Sequence, residues 1–141
     1  MEELKEKMVM VHPTLDHDPI SKQGELGTIC HIIPELDEIY VLFPNGQLGL
    51  YSSDALLMLI PAPFIVDKLR TEHQRLQPAD LLAILEIYLL QSTGQLKYQR
   101  EAMQIAFSNA SLFFATIVSL KDWIDLGIEN KRDIEHPNRT R

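Results

Sequence analysis

Apolar residues recur along this chain at two different periods, and the change falls at Pro61-Ala62-Pro63. Ahead of that point stand MVMVH (8–12), LGTICHII (26–33), EIYVLF (38–43), GQLGLY (46–51) and LLMLI (56–60). These runs are short, rich in branched and aromatic residues, and separated by Pro, Gly, Asn and Asp, which predicts five β-strands. Asn45-Gly46 predicts a tight hairpin turn, because both residues tolerate positive φ and apolar alternation flanks them. Pro44 has no N–H to give a ladder and belongs at the strand's end. Ser52-Ser53-Asp54 predicts a single tight turn before the last strand, and PTLDHDPISKQGE (13–25) a long polar loop after the first.

Beyond Pro63 the spacing lengthens to between three and four residues. PFIVDKLRTEHQRL (63–76) predicts a helix with Phe64, Ile65, Leu69 and Leu76 along one side. Pro78 suits the first turn of a second helix, PADLLAILEIYLLQS, which ends near Gly94. That helix has little polar face, so most of its circumference needs cover. A third helix is expected near 96–108, with Ser108 or Asn109 interrupting or capping, and a fourth through SLFFATIVSLKDWIDL until Gly127. From Glu129 onward the chain reads as a polar tail. The expectation is an α+β protein: an N-terminal five-stranded barrel over residues 1–62, a C-terminal bundle of about four helices over 63–128, and the tail at 129–141.

Both faces of the central hairpin are apolar. Inward placement of Ile39, Val41, Phe43, Leu48 and Leu50 sends Tyr40, Leu42 and Tyr51 outward. LLMLI does not alternate, which implies burial on both sides. The helical half is therefore expected to dock on the outside of the β unit over Tyr40, Leu42 and Tyr51, each large side chain covered contributing about 1.5–3 kcal/mol. A partner protein or a second copy of the chain, held through the helices, is the alternative cover.

Charge is uneven. Residues 1–62 hold three lysines against ten carboxylates, the whole net charge of −7, while basic and acidic groups balance in the remainder. An acidic first half repels phosphate backbones and argues against direct nucleic-acid binding; it serves simple solubility, the plainer explanation, or favours a basic protein partner. The apolar stretch 110–120 is too short for a membrane span, the start MEELKEKM has no apolar targeting core, and Cys30 stands alone, so a cytoplasmic protein is expected.

G-E-L-G-T-I at 24–29, Y-V-L-F-P-N-G at 40–46 and G-L-Y-S-S-D-A-L at 49–56 together resemble the strand and hairpin pattern of small barrels of the Src-homology-3 type, as in Tudor, KOW and Mind-bomb modules. The resemblance covers about 50 residues and implies the barrel fold. It does not carry a function across. The acidic loop lacks the aromatics of a polyproline groove, Tyr40, Phe43 and Tyr51 are few for a methyl-cation cage, and basic loops of the KOW kind are missing. The helical half resembles no family.

Candidate chemistry is sparse. His12, Asp16 and His17 have metal-ligand groups, but their spacing matches no closed site, and turn-capping by the loop's Asp side chains is the simpler reading. Cys30 and His31, adjacent on a strand, point to opposite faces, and Cys30 reads as a small core residue. Paired carboxylates at Glu35, Asp37 and Glu38 sit in an exposed loop. No cofactor is implied. The expectation is a non-enzymatic interaction or regulatory module that meets its partner through Asp16, Asp18, Glu25, Tyr40, Leu42 and Tyr51. A component of an RNA- or DNA-associated complex and a small metal-dependent hydrolase are the alternatives.

Overall fold

The computed structural model describes residues 4–125. Strands β1 (Met8–Val11), β2 (Leu26–Ile33), β3 (Glu38–Leu42), β4 (Leu48–Tyr51), β5 (Leu56–Leu59) and β6 (Ile117–Ser119) form one sheet in the order β4-β3-β2-β1-β5-β6. Every pairing in it is antiparallel. The helices are α1 (Ala62–Glu72), α2 (Pro78–Ser92), α3 (Leu96–Ala106), α4 (Ala110–Thr116) and α5 (Leu120–Asp125). The α+β class is as expected, but the sheet is open and six-stranded instead of a closed five-stranded barrel. β5 pairs with β1 on one side and β6 on the other, which leaves it no edge on which β4 could close the sheet.

The sixth strand corrects the expectation of one long fourth helix. Asn109 caps α4, its side chain accepting the Leu112 N–H at 2.9 Å, and the helix stops at Thr116, where Ile117 turns extended (φ −109°, ψ 140°). Thr116, Ile117 and Val118 are all β-branched, poor in helices and at home on a pleated surface. The run pairs Ile117 with Leu59, Val118 with Met58 and Ser119 with Leu57. The Ser119 hydroxyl then accepts the Asp122 N–H at 3.0 Å and starts α5. Gly127 and the tail lie outside the described residues.

The hairpin loop is one residue longer than a two-residue Asn-Gly turn. Gly46 N donates to the Phe43 carbonyl, and Phe43 N to the Gln47 carbonyl, each at 2.9 Å. Pro44 and Asn45 thus form the turn, and Gly46 alone takes the left-handed conformation, with φ 89°. Leu42 now faces Leu48, Val41 faces Gly49, and Ile39 faces Tyr51. A one-residue slip turns a strand over completely. Leu48 and Leu50, expected inside, are exposed, and Tyr51, expected outside, is buried. Gly49 takes the inward position, and a Cβ there would lie 2.5 Å from the Tyr51 ring, which fills the space a side chain would need. A register shift between Ile29 and His31 likewise overturns the placement of Cys30. It lets two successive residues face outward, so Cys30 and His31 are both exposed.

Two cores result. One face of the sheet gathers Val9, Val11, Ile29, Ile39, Val41, Phe43, Tyr51, Leu56 and Met58 with Leu4, and α5 adds Leu120 and Trp123. The opposite face, through Met8 and Leu59, packs on Ile65 of α1, Ile84 and Ile87 of α2, Ala102, Met103 and Ala106 of α3, and Leu112 and Ala115 of α4. β5 is buried on both faces, as its unbroken apolar run implies. The helices therefore cover β1 and β5, not the outer side of the hairpin where the seam was expected.

Trp123 is 3% exposed within the sheet core although it comes from the far end of the described chain. Trp123→Ala should cost about 3–5 kcal/mol in urea unfolding followed by far-ultraviolet circular dichroism. A loss below about 1 kcal/mol, the scale of an ordinary surface change, would mean that α5 does not belong to this core.

Candidate partner-binding surface

The loop from Pro13 to Glu25 is built around one carboxylate. Asp18 Oδ1 accepts the Ile20 N–H at 3.1 Å, and Oδ2 accepts the Lys22 N–H at 3.0 Å and the Tyr51 hydroxyl at 2.8 Å. Asp-rich turns fold on their own amides in this way. Leu15 and Ile20 pack against the sheet core. Lys22 Nζ lies 3.3 Å from Glu25 Oε1 and 5.5 Å from the centre of the Phe43 ring. Two residues expected to meet a partner, Asp18 and Tyr51, thus meet each other in the interior. Asp16 and Glu25 remain exposed. Burial raises the Tyr51 pKa above the ordinary phenol range, and the adjacent Asp18 carboxylate and then Glu25 raise it further.

What stays outside on the hairpin is apolar. Leu42, Leu48 and Leu50 are 45%, 53% and 49% exposed, and Tyr40 is half-buried beside them. They form two cross-strand pairs, Leu42 with Leu48 and Tyr40 with Leu50, so the four side chains make one strip. The His31 ring lies 5.8 Å from that of Tyr40 and extends the strip onto β2. Of the six residues expected to bind a partner, Tyr40 and Leu42 lie on this strip. Leu48 and Leu50 were missed, and the length of the turn was the signal that could have found them.

At the Leu42 end the strip runs into a groove of about 330 Å³ between the hairpin and α3, lined by Met8, Gly27, Thr28, Leu42, Phe43, Pro44 and Arg100. A second cleft, about 320 Å³, lies between the Pro34–Leu36 turn, the Ser53–Ala55 turn and α5. Its polar groups are engaged with one another. Asp37 accepts the Ser53 N–H, Asp54 accepts the Ser52 hydroxyl, and Asp125 holds Lys121 at 2.8 Å, which raises the lysine pKa.

Of the remaining candidates, His12 and Asp16 line one shallow cleft with Asp54. His12 Nδ1 accepts the Thr14 N–H at 3.2 Å, while Asp16 and His17 stand exposed. Among the described residues no three His, Cys, Asp or Glu side chains gather where they could hold a metal ion. On α2, Leu82, Leu85 and Leu89 are exposed at successive turns, so the helix is less fully covered than its sequence demands. No described helix is long and apolar enough to cross a membrane. No protein-family model, curated protein or solved structure matches the chain.

The fold holds Tyr51 as the neutral phenol. Its pKa is raised relative to the unfolded chain, so its contribution is complete below about pH 10 and is lost as pH climbs from there toward the folded-state value. Tyr51→Phe should cost about 1.5–3 kcal/mol at neutral pH. It should also make the decline of thermal midpoint above pH 10 shallower than in the wild type. Parallel curves for the two proteins would show that the Tyr51 hydroxyl is not what couples the loop to the strand.

Proposed function

We propose that the protein is a non-enzymatic interaction module that binds a partner protein on the outer face of the β3–β4 hairpin. The observation that carries this reading is the uncovered strip of Leu42, Leu48 and Leu50. Three large aliphatic side chains stand half-exposed side by side on a sheet whose opposite face is fully packed. Covering them is worth about 1 kcal/mol each, or a factor of roughly 100 in affinity together. The acidic character of the β half biases the rim toward basic partners and sets approach rates more than affinity.

Photo-leucine at position 48 should crosslink to a defined protein in native cells. Binding of that protein, once purified, should weaken at least about tenfold on Leu48→Asp, which replaces apolar contact by a desolvated charge. The thermal midpoint of the variant should stay near that of the wild type. Unchanged binding would overturn the reading.

A second reading is self-association through α2. Leu82, Leu85 and Leu89 are 70%, 44% and 59% exposed at i, i+3 and i+7, the spacing of a helix-pairing seam. The half of the chain that carries them has no net charge, so two copies meet there without the repulsion that the acidic half would impose. Sedimentation equilibrium should show a dimer that Leu85→Glu converts to monomer. A wild-type monomer at all accessible concentrations would end this reading.

A further inference from the structure

The groove between the hairpin and α3 combines an apolar lining with one uncompensated cation. Met8, Phe43, Pro44 and Leu42 supply the apolar surface, and Arg100 of α3 lines the groove with them. Arg100 is exposed, and its guanidinium makes no ion pair or hydrogen bond with any described residue. A guanidinium offers five donors in a planar fork that matches a carboxylate two bonds at a time. The volume of about 330 Å³ lies at the lower end of ligand sites and accommodates a single aliphatic side chain with its flanking backbone. Leu42 belongs both to this groove and to the hairpin strip, so an extended segment laid along the strip reaches Arg100 at its end.

We propose that the groove receives a segment of the partner protein in which a leucine-sized side chain is followed directly by a carboxylate. The apolar group enters against Met8, Phe43 and Pro44, and the carboxylate takes two N–H donors of Arg100. Charge complementarity sets the choice. Against a chain whose first half is acidic, this is the point on the strip where a negative group is attracted and a positive one is not. The proposal rests on the hairpin reading and adds the chemistry of the segment that binds there.

The test uses the full chain and two arrays of acetylated, amidated hexapeptides, one fixed at Leu-Asp in the centre and one at Leu-Asn, the other positions randomised. The wild type should retain the Leu-Asp array about tenfold more strongly, the effect of one charge-assisted pair. Arg100→Gln should bring both arrays to the Leu-Asn level, and Arg100→Lys should keep part of the preference. Leu48→Asp should weaken both arrays together. Equal retention of the two arrays by the wild type, with Leu48→Asp weakening both, would overturn the carboxylate proposal and leave the hairpin reading standing. A preference for Leu-Asp that survives Arg100→Gln, or retention of neither array, would also overturn it. Retention independent of Leu48 would overturn the hairpin reading instead.

Discussion

The Tyr51 hydroxyl donates to the Asp18 carboxylate across 33 residues of sequence, and the arrangement of the β half depends on that contact. The backbone ladder leaves β4 as an edge. A side-chain bond now ties that edge to the loop between β1 and β2, in a place where hydrogen bonding to a charged group is strong because water is excluded. Asp18 is 8% exposed and would be costly to bury alone. It accepts from two amides of its own loop as well as from the phenol, so the charge is met from several directions. The same contact holds the Tyr51 ring over Gly49, on the face of β4 that the three-residue turn has turned inward.

From that choice the binding surface follows. With Gly49 and Tyr51 inward, Leu48 and Leu50 have only the outer face left, and there they join Leu42 and Tyr40. The helices cannot cover them, because Met8 and Leu59 lead the helical layer onto β1 and β5 instead. A strip that is apolar yet uncovered is thus a by-product of internal packing at one end of the sheet and of helix docking at the other. It is stable in place because its backbone is held by the β3 ladder and its underside by Val41 and Phe43.

Much of this was legible in the residues. Runs with β-branched residues marked β1, β2 and β3, Pro78 and Gly94 marked the ends of α2, and the unbroken LLMLI announced β5 as a strand buried on both sides. The errors each have a local cause. Asn45-Gly46 has the chemistry of a two-residue turn, but Pro44 is pre-set for the turn itself, and the added residue reversed every side chain of β4. Cys30 and His31 were separated by strict alternation, which the irregularity in β2 suspends. Thr116-Ile117-Val118 sits inside an apolar stretch that reads equally as helix, and only the open edge of β5, a tertiary fact, makes it a strand. Asp18 and Tyr51 read as surface groups in the sequence because no local pattern discloses a bond between residues so distant. Arg100 carried no signal at all until α3 was seen beside the hairpin.

The return of β6 to the sheet also governs the order in which the molecule is completed during synthesis. Emerging from the ribosome N-terminus first, β5 presents an unpaired and strongly apolar edge until Ile117–Ser119 arrives, after all four intervening helices have been made. A chain halted between those points displays β5 as a template for foreign strands. The helical segment, besides covering β1 and β5, is the tether that delivers their last neighbour.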